Sequence, residues 1–155
     1  MVRLRVTNQL RGDLGELYFR HLCQQRDYAY VKLEDIYHTF SPRGVIVFKM
    51  GFDRIPIAIP DEIAGEIWET CRPTMIYGTA SFVFDFLTCP VRGGYDLSAV
   101  NEKPASAFNW VEIKTGGSQL SRNQRMVAAK CKIPVSVFRI RSADVSPHKV
   151  DIAWE

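Results

Sequence analysis

Two short apolar stretches carry the charges on which the fold prediction depends: FVFDFL at residues 82–87 and WVEIK at residues 110–114. Side chains two positions apart on a strand share a face, so Glu112 and Lys114 are expected to point the same way. A buried carboxylate is costly unless a cation or hydrogen bonds compensate its charge. If the two stretches form neighbouring strands, Asp85 joins Glu112 on one face of a sheet.

These side chains predict a metal-dependent hydrolytic site. Two carboxylates that converge at the end of a strand suit a hard divalent cation such as Mg²⁺ or Mn²⁺. A bound cation lowers the pKa of water and screens a phosphate, which the hydrolysis of a phosphodiester requires, and a lysine helps to place the water. We therefore expect a nuclease with Asp85, Glu112 and Lys114 as its catalytic residues.

The segment that follows WVEIK extends this prediction toward a phosphate. A glycine turn at Gly116-Gly117 precedes a helix, and the N-terminus of a helix attracts anions. Four polar residues at the start of this helix are predicted to contact nucleic acid: Ser121, Arg122, Gln124 and Arg125. Arg122 and Arg125 are three residues apart and can share one helical face.

Periodicity and turn residues predict the surrounding elements. Helices are expected at residues 8–26, from residue 61 and at 121–130, and strands at 28–33, 81–87, 108–114 and 134–140, with a hairpin at 44–59 and an edge strand at 150–154. Asp61 is expected to cap the second helix. Residues 90–107 are expected to form a long loop of a kind that is either mobile or functional. The predicted fold class is α/β, with a mixed central sheet flanked by helices.

The order of these motifs resembles that of the PD-(D/E)xK nuclease superfamily, which includes restriction endonucleases, archaeal Holliday-junction resolvases and virus-type replication-repair nucleases. An acid in one strand is followed by Glu112-Ile113-Lys114 in the next, and then by a helix and a strand. The resemblance covers roughly residues 8–34 and 80–140. It implies a restriction-endonuclease-like core of a helix, three strands, a helix and a strand. Residues 35–79 are then an insertion that carries a hairpin and a helix.

The resemblance also implies the roles of the strand residues. Asp85 and Glu112 would bind the metal together with the backbone carbonyl of Ile113. Lys114 would orient the attacking water molecule. Phe84 stands at a position where the family often has proline, which is a departure from its pattern.

Two helices supply further residues that the resemblance implies. Glu16 follows Gly15 in the first helix and matches a glutamate that helps to hold metal in the family. Gln124 matches the polar residue of the family's second helix. The dipeptide Pro60-Asp61 also spells part of the family's motif. We reject it as the site because it opens a helix and no ExK motif follows on an adjacent strand.

Properties of the whole chain are compatible with this prediction without requiring it. The 155 residues suffice for a single domain, 1–155, with a substantial core. The net charge of +3 is too small to require a nucleic-acid partner. We find no secretory signal and no apolar run that could span a membrane, so no membrane partner is expected. We expect a cytoplasmic location with reduced cysteines, and the resemblance implies a prokaryotic, archaeal or virus-infected cell.

The same residues allow other interpretations. Asp85 can be satisfied by backbone donors or by an arginine, and Glu112 with Lys114 can be a surface pair. Glu16 can lie on a solvated helix face. For the whole chain, the alternatives are a catalytically inactive nucleic-acid-binding module on the same fold, and an interaction protein with a chance ExK motif.

The expected substrate is DNA, with RNA left open, and the expected cleavage is endonucleolytic, with specificity for a nucleic-acid structure as one version. The insertion also suggests a homodimer or a wall of the substrate groove. Its apolar residues motivate the dimer: Val45, Val47, Ile57 and Ile59.

Overall fold

The computed structural model describes residues 8–39, 44–141 and 151–154. The helices in these ranges are α1 (Asn8–Gln25), α2 (Leu33–Thr39), α3 (Asp61–Thr70) and α4 (Arg122–Lys130), with a short 3-10 helix at Ala105–Ala107. The strands are β1 (Tyr28–Lys32), β2 (Val45–Met50), β3 (Asp53–Ala58), β4 (Thr74–Ile76), β5 (Thr79–Ser81), β6 (Phe86–Pro90), β7 (Asn101–Glu102), β8 (Asn109–Thr115), β9 (Val135–Arg141) and β10 (Asp151–Trp154).

Eight of these strands form one sheet in the order β10-β9-β8-β6-β1-β2-β3-β7. The pairs β8–β9 and β3–β7 are parallel and the other neighbours are antiparallel. The connection from β8 to β9 runs through α4, because parallel neighbours need a crossover long enough to return the chain to the same end. The prediction of an α/β protein with a mixed central sheet flanked by helices is confirmed.

A layer of aromatic residues packs α1 against the sheet. The Phe19 ring stacks on Phe86 with ring centroids 4.7 Å apart, and Tyr30 meets Phe86 edge-on at 5.9 Å. Val111 and Phe138 complete this buried cluster. Because Phe86 pairs with β1 on one side and β8 on the other, this layer fixes the three strands around the start of β6.

The larger core lies around Trp110, which is fully buried and neighbours Phe84 at 6.0 Å between ring centroids. Ile63 and Ile67 of α3 belong to the same cluster, and Val127 of α4 packs against it. Side chains alternate along β8, so Trp110 belongs to this core while Val111 belongs to the α1 layer.

The predicted strand at 81–87 is wrong in its bounds. Strand β5 ends at Ser81 and β6 begins at Phe86, which leaves Asp85 immediately before the strand. The apolar character of the intervening residues reflects core packing, since Phe84 is only 2% exposed without lying in a strand. Buried strands and buried loops both read as apolar runs, and periodicity alone does not separate them.

The expected cap at Asp61 is also wrong. Asp61 is the first residue of α3, and Pro60 occupies the N-cap position without a side-chain hydrogen bond to the helix. Proline is compatible with this place because its fixed backbone angle suits the entry to a helix. The carboxylates of Asp61 and Glu62 remain in the first turn, where they face the positive end of the helix dipole.

Two elements were not expected from the sequence. Helix α2 follows β1 directly, and the β4–β5 hairpin extends from the domain with all six strand residues exposed. Its turn at Tyr77-Gly78 has positive φ at both residues, 50° and 79°, which is the pattern of a two-residue hairpin turn. Tyr77 is fully exposed at the tip.

The long segment expected at residues 90–107 is partly ordered by β7 and the 3-10 helix. The Asn101 side-chain amide donates hydrogen bonds to the carbonyls of Pro56, Asp96 and Ala99, at 3.0, 2.9 and 3.3 Å. The bond to Pro56 and the pairing of β7 with β3 attach the segment to the sheet, and the other two bonds fix its internal turn. The edge strand expected at 150–154 is present as β10.

Two of the four apolar residues that motivated a dimer are buried inside the domain. Ile57 is fully buried and Ile59 is 6% exposed, whereas Val47 is 42% exposed. Only Val45 and Val47 remain accessible for the expected contact, and the homodimer stays a prediction. Among the described residues, no helix combines the length and the apolar character needed to cross a membrane.

Substitution of Phe86 tests the aromatic layer. Phe86→Ala removes a fully buried ring that contacts Phe19 and Tyr30, so the free energy of unfolding should fall by about 3–5 kcal/mol in urea denaturation. Phe52→Ala is the matched control, because Phe52 is fully exposed in the β2–β3 turn and its loss should change stability by less than about 0.5 kcal/mol. Equal effects of the two substitutions would contradict this description of the core.

Candidate functional site

The candidate site lies where β8 runs on past the beginning of β6. Pairing between the two strands ends at Phe86 opposite Val111, while β8 continues to Thr115 beside β9. The backbone amide of Asp85 still donates to the carbonyl of Val111 at 3.0 Å. Beyond that point the Asp85 carboxylate accepts a 2.7 Å hydrogen bond from the Ile113 amide. A side chain thus takes the place of the missing strand partner.

The direction of the β8 backbone aims the Ile113 carbonyl toward the same gap. The amide of Trp110 donates to the carbonyl of Pro134 on the β9 side at 2.9 Å. Backbone groups alternate between the two sides of a strand, so the N–H and C=O of Ile113 both face away from β9. The Ile113 carbonyl therefore lies on the side of the strand that carries Asp85.

Glu112 is a second carboxylate at this end of the sheet and is only 8% exposed. The ammonium of Lys114 lies 3.7 Å from its carboxylate, as expected for residues two apart on one strand face. Burial and the neighbouring Asp85 raise the pKa of Glu112 to about 8, although Gln124 and Lys114 both oppose that shift. One nearby lysine does not compensate this buried carboxylate.

Asp85 and Glu112 lie near enough to interact by a hydrogen bond. The pKa of Asp85 is raised by burial and by the charge of Glu16, while hydrogen bonds from Ile113 and Glu112 hold it down. The bond between the two acids raises the pKa of Glu112 and lowers that of Asp85, so protonation of Glu112 is favoured over protonation of Asp85. Two buried carboxyls that share a proton have the donor chemistry of a site for a divalent cation, which would replace that proton.

A third carboxylate, Glu16 of α1, approaches the pair from the helix side. The charge of Glu16 raises the pKa of Asp85. The Glu16 carboxylate itself forms ion pairs with Lys32 at 3.0 Å and with Arg20 at 3.9 Å. A cavity of about 240 Å³ opens beside these groups and is bounded in part by Glu16, Lys32 and Asp85. The residues before β6, Ala80 to Phe82, form another part of its wall.

Gln124 holds the segment that leads into Asp85. Its side-chain nitrogen donates to the carbonyl of Val83 at 2.8 Å, and its oxygen accepts from the Ser121 amide at 2.9 Å. The Ser121 hydroxyl in turn accepts a 3.1 Å hydrogen bond from the backbone N–H of Gln124, which completes a capping box at the start of α4. Gln124 also interacts with Glu112, so one amide side chain joins α4 to both acid-bearing segments.

The structure thus brings together Asp85, Glu112, Ile113, Lys114 and Glu16 at one end of the sheet. The four residues expected to contact nucleic acid divide into two groups. Ser121 and Gln124 use their side chains within the protein, as the capping box describes, whereas Arg122 and Arg125 are exposed on α4. Contact of these residues with nucleic acid stays a prediction.

Lys32 is a site residue that sequence reasoning missed. It closes β1, pairs with Glu16 and lies opposite Phe86 in the sheet, one residue from Asp85. A strand was expected at residues 28–33, but no local sequence pattern indicated that Lys32 would lie beside β6. That pairing crosses more than fifty residues of intervening chain.

Across the described ranges, no group of three or more His, Cys, Asp or Glu side chains is arranged to hold a metal ion. The donors that fit a cation here are two side chains, Asp85 and Glu112, and the backbone carbonyl of Ile113. Water and substrate oxygens commonly complete such a site for Mg²⁺, which binds through one or two carboxylates.

Comparison with protein-family models, curated proteins and solved structures found no match to this chain. Its function is therefore inferred from the geometry and the chemistry of the site.

The acid pair predicts how stability depends on pH when metal is removed. Glu112 has an ordinary pKa of 4.5 in the unfolded chain and about 8 in the folded one, so folding favours its protonated form. Stability in EDTA should fall as the pH rises from about 4.5 to about 8 and then level off. Glu112→Gln should remove that fall, measured as the urea midpoint at several pH values.

The exposed Glu69, whose side chain is 70% accessible, provides the control. Glu69→Gln should leave the wild-type pH profile unchanged. Parallel profiles for wild type and Glu112→Gln would contradict the assignment of the shared proton to Glu112.

Proposed function

We propose that this protein is a metal-dependent nuclease that hydrolyses phosphodiester bonds in DNA. The observation that carries the proposal is the meeting of two carboxylates, Asp85 and Glu112, with Lys114 where β6 and β8 separate. Structural proteins rarely bury two acids beside each other, because each raises the cost of ionising the other. A site that receives a divalent cation gives that cost a functional reason.

The order and pairing of the elements support the proposal. Six elements come along the chain in the order α1, β1, β6, β8, α4 and β9. The segments between β1 and β8 also carry α2, α3 and the strands β2, β3, β4, β5 and β7. In the sheet the four strands are neighbours in the order β1-β6-β8-β9, with β9 parallel to β8. A helix, three strands, a helix and a strand are the core that the PD-(D/E)xK resemblance implies.

The residues at the separation of the strands have distinct roles in the proposed reaction. Asp85, Glu112 and the Ile113 carbonyl would hold Mg²⁺ or Mn²⁺, and Glu16, whose charge acts on Asp85, would assist through a water molecule. When bound, the cation polarises the scissile phosphate and lowers the pKa of a water molecule. Lys114 orients the attacking water and offsets the charge that develops on the phosphate.

The exposed surface of α4 gives the substrate a place to bind. Arg122 and Arg125 are exposed in its first turn, where the helix dipole also favours an anion. Gln124, between them, is tied to Val83 and to Glu112, so the arginine-bearing turn is fixed relative to the acids. A phosphate contacted by these arginines would be held at a set distance from the cation site.

Cleavage assays with matched variants test the proposal. Wild-type protein with Mn²⁺ or Mg²⁺ should cut DNA, and EDTA should abolish the activity. Asp85→Asn keeps an oxygen that accepts the hydrogen bond from Ile113 but removes the charge, so the cleavage rate should fall by about 10²–10³-fold or more with the fold retained. Lys114→Ala should lower the rate to a similar degree.

Asp61→Asn and Lys130→Ala are the controls, since both residues are exposed and lie away from the separated strands. They should cleave at the wild-type rate. A panel of single-stranded, duplex, flap and four-way-junction DNA, with an RNA strand included, identifies the preferred substrate. Metal-dependent cleavage that survives both site substitutions would overturn the residue assignment, and binding without cleavage would favour the inactive module.

Metal binding can be measured without any substrate. Mn²⁺ at a hundredfold excess over its dissociation constant should stabilise the folded protein by about 2.7 kcal/mol, which raises the melting temperature by roughly 5–10 °C. Asp85→Asn should remove this rise, while Asp61→Asn should retain it. A rise of equal size in both variants would place the cation elsewhere.

A further inference from the structure

A second cavity lies beside the candidate site and is basic. It has a volume of about 250 Å³ and is lined by Arg20, Tyr30, Val31, Lys32, Asp35 and Lys49. Three of these residues are cations and one is a carboxylate. The catalytic role proposed for Asp85 and Glu112 makes no use of this cavity.

Three separate elements supply the cations. Arg20 comes from α1, Lys32 from the end of β1 and Lys49 from β2. The pairing of Tyr30 with Lys49 fixes β2 beside β1 and therefore sets the position of Lys49 relative to Lys32. Cations brought together from distant parts of a chain repel one another, so an arrangement of this kind favours a bound anion.

Internal carboxylates only partly neutralise these charges. Glu16 accepts ion pairs from Arg20 and Lys32, and Asp35 is the one carboxylate among the residues that line the cavity. No carboxylate in the described ranges forms an ion pair with Lys49. The Lys49 ammonium is therefore the cation of this cavity that is most available to a ligand.

Lys32 connects the basic cavity to the candidate site. It contributes to the wall of this cavity and also to the wall of the one bounded by Glu16 and Asp85. The two cavities therefore lie on either side of a single lysine. A polyanion bound beside Asp85 therefore has the cations of the basic cavity as its neighbours.

We propose that the cavity formed by Arg20, Lys32 and Lys49 binds a phosphate group of the substrate strand other than the one that is cleaved. Its volume corresponds to about eight water molecules at roughly 30 Å³ each, enough for a phosphate with part of its hydration shell. Arginine and lysine form charge-assisted hydrogen bonds with phosphate oxygens. The bound phosphate fixes the register of the strand over the acid pair.

The proposal depends on the proposed nuclease function in one respect only: that function identifies the phosphate as part of a nucleic acid. The ligand is either a phosphate monoester at a strand end or a diester within the strand. Both present the same anionic oxygens, and oligonucleotides with different ends separate the two.

The test is binding of a fluorescent single-stranded oligonucleotide in EDTA, where no cleavage occurs, over a range of salt concentrations. Each phosphate contact to a single strand contributes about 0.7 to the slope of log affinity against log salt. Lys49→Ala should reduce the slope by about that amount, and Lys49→Arg should keep it. Lys103→Ala is the matched control. The charge of Lys103 lies near Cys89, toward the opposite end of β6, so its removal should leave the slope unchanged.

The proposal would be overturned if Lys49→Ala left the slope unchanged or if Lys103→Ala reduced it equally. It would also be overturned if the wild-type protein did not bind the oligonucleotide at low salt. Tighter binding of a 5′-phosphorylated than a 5′-hydroxyl oligonucleotide, lost in Lys49→Ala, would identify a terminal phosphate. Equal binding with the reduced slope would identify an internal one. Cleavage with Mn²⁺ is scored separately, so failure of the nuclease proposal is distinguishable from failure of this one.

Discussion

The hydrogen bond from the Ile113 amide to the Asp85 carboxylate is the interaction on which the site depends. It lies where β6 no longer pairs with β8, and it satisfies a backbone donor that would otherwise remain unpaired. The same bond holds the Asp85 carboxylate against β8, close to Glu112, which precedes Ile113 in that strand. One interaction therefore ends a strand pair and assembles the acids.

Burying these two acids side by side is costly to the folded protein, and the surrounding contacts limit rather than remove that cost. Burial raises the pKa values of both carboxyls, and the charge of Glu16 adds to the rise at Asp85 as that of Asp85 does at Glu112. Hydrogen bonds from Ile113 to Asp85 and from Gln124 to Glu112, with the charge of Lys114, act in the opposite direction. Gln124 links the helix after β8 to the segment before β6, so the carboxyls are held at fixed positions by hydrogen bonds and packing. Such preorganisation favours a ligand that brings positive charge over one that brings none.

The sequence predicted the parts of the site that depend on neighbouring residues. The shared face of Glu112 and Lys114 followed from strand periodicity, and a helix from Ser121 was expected after the glycine turn, close to the observed start of α4 at Arg122. Long-range pairings were not predictable in the same way. The placement of Lys32 beside Asp85 depends on β1 pairing with β6 across the inserted segments, and nothing local to β1 encodes that neighbour. The bounds of β6 were missed because core packing of Phe84 produced the same apolar pattern as a strand.

A crystal structure of the protein grown with Mn²⁺, with data collected at the manganese absorption edge, tests the central claim most directly. The account predicts an anomalous peak within about 2.0–2.6 Å of oxygens from Asp85, Glu112 and the Ile113 carbonyl. A fully occupied manganese ion elsewhere, with no anomalous peak between Asp85 and Glu112, would contradict it.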